Sequence, residues 1–261
     1  MALLSVLLSG YADLRNLQWK LPRNERLLSC QWCGLELHSV QRLGYLKGFS
    51  HMLREYWDKL LATVGGENSG LLAEQYFEEI TMLYGESHRY YHNLSHVESL
   101  LVELEKISMR EEVEYPAYIF WAIWYHDIIY NPGSPDNELE SAELARLRME
   151  ALGVGAETIE ACYQLIVATK SHQFSEIPFG NLFLDLDMGI LAAKRVVYQG
   201  YVERIRKEFS EIPIEIFNAG RKNFLQEQLD LPRIFHSQEF AALENKARDN
   251  ITWEIQSISA K

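Results

Sequence analysis

The stretch Trp121-Ala-Ile-Trp-Tyr-His126-Asp127-Ile-Ile-Tyr130 sets an imidazole and a carboxylate side by side inside an apolar run. Burying two such groups without partners costs roughly 1 to 3 kcal/mol each, so something has to compensate them. A metal ion would do so. The alternative is a neutral His126 hydrogen-bonded to its neighbour or to a backbone carbonyl. Further candidates for one shared site flank the pair, His92 and His96 upstream and Glu138, His172 and Asp187 downstream.

Working outward, Pro116 suits the first turn of a helix carrying Phe120, Trp121, Ile123, Trp124, Ile128 and Ile129. That helix is apolar nearly all round, which predicts a central position in the fold. The Asn131-Pro-Gly-Ser-Pro135 segment ends it, and Ser134 as N-cap with Pro135 at the first position opens a helix to residue 152, closed by Gly153. Upstream, Leu53, Trp57, Leu60 and Leu61 continue a helical period over residues 40–64, and Leu72, Tyr76, Ile80 and Leu83 do so over 71–84. Downstream, helices are predicted over residues 156–170, 181–209, 214–229 and 238–258. No run of alternating β-branched residues and no internal repeat is visible, so the predicted fold is all-α.

With 261 residues, 48% of them hydrophobic, the chain has the make-up of one large globular domain. Residues 1–37 show no sustained period and read as a loosely attached segment ahead of a helical domain over 38–261. The formal charge of −12 disfavours nucleic acid polymers and anionic membranes as partners. No run approaches the roughly 20 apolar residues of a membrane span, and the apolar start lacks the basic flank of a secretory signal. Three cysteines form no disulfide framework, which suits a reducing, cytoplasmic location. Cys30 and Cys33 make one C-x-x-C, whereas a structural zinc needs two such pairs or matching histidines; a hook with His38 is the remote alternative.

His92 and His96 stand four apart in Tyr91-His92-Asn93-Leu-Ser95-His96-Val-Glu98, just before the apolar period of Leu100, Leu101, Leu104 and Ile107. If the turn is helical, they are neighbours on one face, about 5 to 6 Å between Cβ atoms. The helix starts either at Ser95, which has capping-box spacing to Glu98, or near Asn93. His96, His126, Asp127 and Asp187 together supply two imidazoles and two carboxylates, a mixed set that suits Mn, Fe, Zn, Co or Mg.

The order of these four residues resembles the ligand pattern of the HD superfamily of metal-dependent phosphohydrolases, over about residues 85–195. Residues 91–96 are also similar to the signature of class I cyclic nucleotide phosphodiesterases, and His126-Asp127-Ile-Ile-Tyr130-Asn-Pro132-Gly133 to their next motif. Where those enzymes carry a His after the His-Asp pair, this chain has Tyr130 or Asn131. The whole pattern, with Glu138, Lys170, His172, Gly220-Arg221 and Ala247-Arg248-x-Asn250, resembles the bacterial-type predicted metal-dependent HD phosphohydrolases. The resemblance implies an HD-domain helical bundle in which His96, His126, Asp127 and Asp187 bind a divalent metal and His92 protonates the leaving oxygen. Asp185 competes for the last ligand position. Asp187 is favoured because the superfamily's last Asp commonly precedes the apolar start of a helix, which leaves Asp185 as an N-cap.

On that likeness the expected activity is hydrolysis of a small phosphomonoester or phosphodiester, with nucleotides among the candidates. A bound ion would acidify water and offset phosphoryl charge. Glu138 or Asp127 would hold the water, and Lys170 or His172 would neutralise a non-bridging oxygen. Each has a plainer reading: His172 can serve the last carbonyls of its helix, and Glu138 can serve the first turn of its own. Two other functions compete, an HD-type di-iron oxygenase, whose extra histidines only His172 could match, and a non-catalytic ligand-sensing HD module, against which the full ligand set argues.

Overall fold

The computed structural model describes residues 40–64 and 69–259, with side chains from residue 51 onward except Ser69. The predicted loose segment over residues 1–37, Cys30, Cys33 and His38 lie outside the described residues. Among those described there is no strand, and the fold is all-α. The helices are α1 (Val40–Leu61), α2 (Ser69–Tyr84), α3 (Leu94–Glu111), α4 (Ala117–Tyr125), α5 (Asn137–Ala151), α6 (Ala156–Ala168), α7 (Gly180–Met188), α8 (Arg195–Glu208), α9 (Ile214–Asp230) and α10 (Glu244–Ser259).

α4 is the central element, as its all-round apolarity requires. It packs against α1, α3, α5, α6 and α7, and Ile119 and Trp121 through Tyr125 are fully buried. On its α1 side the Trp57 ring meets Trp121 and Trp124 edge-on, both at 5.5 Å between centroids. Edge-to-face pairs of this kind add about 0.5 to 1.5 kcal/mol each to area burial. That rigid aromatic contact fixes the axis of α4, and with it the point where His126 and Asp127 leave the helix.

The α-helix stops at Tyr125 and does not continue to Ile129. The carbonyls at this end are taken by side chains from elsewhere: Tyr84 Oη donates to Trp124 O at 3.2 Å, while Arg89 donates to Asp127 O at 2.6 Å and Ile128 O at 2.9 Å. With these acceptors satisfied, the chain turns through His126 and Asp127 without exposing orphan polar groups.

Three other boundaries depart from the helical periodicity for similar reasons. The helix predicted over 181–209 is two helices, α7 and α8, joined by a short 3-10 helix (Gly189–Ala192) and extended backbone at Ala193 and Lys194. Asn250 of α10 donates to Leu191 O and Ala193 O, serving carbonyls that a continuous helix would need. α5 begins at Asn137, two residues after Pro135, because the buried Asn137 side chain clamps the preceding loop through Asn131 N and Asn131 O. Ser134 instead accepts from Asp136 N at 3.2 Å. α10 begins at Glu244, whose carboxylate accepts from Ile234 N and Phe235 N and so holds the loop before it.

Candidate metal centre

Three elements deliver the four predicted ligands. Asn93 caps α3, its side chain accepting from Ser95 N at 2.9 Å, so His96 lies in the first turn with its ring buried. His126 and Asp127 follow the end of α4, and Asp187 lies near the end of α7. Their donor atoms all come within 4.8 Å of one another, and the group could hold a metal ion.

The separations fit one ion. His96 Nε2 is 3.1 Å from His126 Nε2 and 3.0 Å from Asp187 Oδ1. Asp127 Oδ2 is 3.1 Å from His126 Nε2 and 3.8 Å from His96 Nε2. Ligands about 2.0 to 2.2 Å from a common ion are about 3 to 4 Å apart at angles of about 90° to 130°. His126 Nδ1 donates to Ile123 O at 3.1 Å, which turns the lone pair of Nε2 toward the other donors. Two imidazole nitrogens facing each other next to two carboxylates form a set that only a cation or added protons can satisfy.

The ionisation of the cluster says the same. Burial disfavours the His126 imidazolium, yet the adjoining Asp127 and Asp187 carboxylates raise its pKa well above the ordinary value. Burial would also push the Asp187 carboxyl up, but His126, His172 and His96 beside it hold it well below the usual carboxylate range. A proton on His126 therefore stands where a divalent ion would supply the positive charge.

Asp185 is not an N-cap. It lies inside α7, buried, and accepts from His236 N at 2.9 Å and Ser237 N at 2.6 Å. Residues two apart on a helix do not face the same way. Once Asp185 holds the 236–237 backbone, Asp187 is the one turned to the cluster.

The structure divides the remaining candidates. His172 stands beside the cluster, Nε2 2.8 Å from Asp187 Oδ2, on left-handed backbone with φ of 50°. A non-glycine residue there costs of order 1 to 3 kcal/mol, and such strain gathers where a side chain must be aimed. Glu138 is buried in the first turn of α5, outside the four-residue cluster. Lys170 is exposed, Nζ donating to Pro135 O at 2.7 Å. His51 is exposed beside Glu55 at 3.3 Å, and the backbone N–H of His236 serves Asp185.

His92 precedes the cap of α3 and is not in a helical turn with His96, although the two rings lie 6.0 Å apart. Its Nδ1 donates to Glu208 Oε2 at 2.7 Å. Glu208, at the end of α8, also accepts from Tyr91 N at 2.6 Å, His92 N at 2.9 Å and Tyr130 Oη at 2.7 Å. Burial opposes its ionisation, but His92 and the backbone donors hold its pKa down at about 2. Glu208 is thus a fixed anion behind His92, leaving Nε2 as the working nitrogen.

Three residues around His92 were given no role by the sequence. Glu208 is 116 residues from its partner, and no local pattern points to it. Arg89 stands just before the His92 motif, and its buried guanidinium is recognisable only from the carbonyls it holds, His92 O among them. Tyr130, at the position where the phosphodiesterase likeness fails, packs its ring 4.5 Å from that of His92 and donates to Glu208. No protein-family model, curated protein or solved structure matches the chain.

Proposed function

We propose that this chain is an HD-type, metal-dependent hydrolase of a small phosphorylated molecule. The observation that carries the reading is the adjacency of two different histidine sites. One is the four-donor cluster; the other is His92, backed by an anion and lining the same small cavity as His172 and Asp187. A divalent ion in the cluster would supply Lewis acidity toward a phosphoryl oxygen and acidify water.

The chain's own residues account for the rest. The water oxygen attacks phosphorus and gives its proton to the Asp127 carboxylate. The ester P–O bond breaks with its electron pair going to the leaving oxygen, and His92 Nε2 donates the proton that completes the alcohol. Glu208 orients the His92 ring by accepting from Nδ1. His172, held on Asp187, faces a non-bridging oxygen. Arg89 fixes the turn that carries His126 and Asp127.

One observation supports a second reading. Asp187 presents Oδ1 to His96 and Oδ2 to His172, an arrangement suited to a carboxylate between two metal ions, as in a di-iron oxygenase. The test is metal analysis of protein purified without chelator, coupled to phosphate release from phenyl phosphate and common nucleotides and to nitrophenolate release from bis-p-nitrophenyl phosphate. Divalent metal together with hydrolysis of at least one of these esters is the expected result. Two irons per chain with oxygen uptake and no ester hydrolysis would overturn the hydrolase in favour of the oxygenase.

A further inference from the structure

Arg221 is the one fully buried cation that lines the cavity next to the cluster, among the described residues. It lies on α9, and Glu254 of α10 holds it in a two-point pair, Nε to Oε1 at 2.7 Å and Nη2 to Oε2 at 3.1 Å. Tyr201 Oη accepts from Nη1 at 3.2 Å, and Tyr198 Oη donates to Glu254. A guanidinium has five N–H donors. Three are used here, and one on each terminal nitrogen meets no acceptor among the described residues.

A buried ion pair of this kind is a poor device for joining two helices, since well-packed apolar residues of similar volume often do it as well or better. Its place in the cavity gives it another use. The cavity has a volume of about 50 Å³, and its lining includes His92, His172 and Asp187 together with the apolar Phe209 and Phe224. A few heavy atoms fill such a space. A larger cavity of about 330 Å³ lies past Tyr91 and Ile190, which line both, and reaches His96, Leu186, Arg204 and Phe240.

We propose that Arg221, pre-aimed by Glu254 and Tyr201, recognises the terminal phosphoryl oxygens of a phosphomonoester, with the organic part of the substrate in the larger cavity. The inference rests on the hydrolase reading and narrows it. A phosphodiester has a second ester arm, and a cavity of about 50 Å³ that Phe209 and Phe224 also line is too small to take it beside Arg221. Lys170, bonded to Pro135 O at the surface, is not among the cavity's lining residues.

The test uses metal-loaded full-length protein and inorganic phosphate as the probe. Wild type should bind phosphate by calorimetry. Arg221→Met combined with Glu254→Gln, which avoids stranding a buried carboxylate, should weaken binding by about 10- to 100-fold with metal content unchanged. Arg221→Lys keeps the charge and loses the fork, and should weaken it about tenfold. Wild type should also turn over p-nitrophenyl phosphate at least about tenfold faster than bis-p-nitrophenyl phosphate, a comparison that needs no variant to fold. Phosphate affinity within about twofold of wild type in either folded variant, no phosphate binding by wild type, or equal turnover of mono- and diester would each overturn the proposal. Arg221-dependent phosphate binding without any hydrolysis would instead uphold the anion site and remove the hydrolase. Hydrolysis equally fast in wild type and Arg221 variants would do the reverse.

Discussion

His96 and His92 are four residues apart, and both rings are largely buried, yet they belong to different chemical regions. His96 faces another imidazole at 3.1 Å and two carboxylates, a set that lacks positive charge until a cation or protons arrive. His92 faces Glu208, which is already satisfied by four donors, so this second region is complete without any ion. The difference teaches that residue type and spacing do not assign a histidine's role. The partners that reach it from 91 residues away in one case and 116 in the other do so.

Substituting at the cluster should break the contrast most completely. His126→Ala removes one of two facing nitrogens and leaves Asp127 without its closest imidazole. Metal content should fall to background by elemental analysis, and turnover should vanish with it. Added divalent ion should no longer raise the melting temperature, whereas in wild type an ion at 100 times its dissociation constant stabilises by about 2.7 kcal/mol. Metal content unchanged from wild type would dissolve the cluster as a ligand set.

At the other region the ion should stay. His92→Ala is expected to keep its metal while losing roughly 10²- to 10⁴-fold in turnover. The loss should shrink for p-nitrophenyl phosphate, whose leaving oxygen scarcely needs a proton. An equal fall on alkyl and nitrophenyl substrates would remove His92 as the acid and erase the distinction between the two histidines.

Glu208→Gln sharpens the comparison at lower amplitude, with about tenfold slower turnover and metal retained. It also has a pH signature. The folded pKa of Glu208 is depressed from 4.5 to about 2, so its stabilising contribution is complete above about pH 4.5 and is lost as pH falls through about 2. Urea midpoints of wild type and variant should therefore converge across that window. A constant gap would mean that the ionisation of Glu208 does not contribute. The smallest effect is expected for Lys170→Ala, less than about twofold in turnover, since its ammonium is spent on Pro135 O at the surface. A loss of tenfold or more would return Lys170 to the substrate.

The all-α class and the central place of α4 were legible in the sequence because apolar periodicity is a local property, written every three to four residues. The His126-Asp127 pair was legible for a related reason: two polar groups inside an apolar run announce that they will be buried and must be matched. Where helices end was less legible. Tyr84 takes a carbonyl in the last turn of α4, Arg89 takes those of the turn just past it, and Asn250 takes those between α7 and α8, each from far along the chain. The family likeness favours Asp187 over Asp185, but the physical reason waited for the fold: it is which face of α7 meets the 236–237 backbone, not an N-cap at Asp185. Glu208 and Glu254 carry no local mark at all, and Gly220-Arg221 enters only through the family likeness. Their meaning comes from a hydrogen bond or a cavity wall closed between distant helices, and such contacts exist only once packing has brought those helices together.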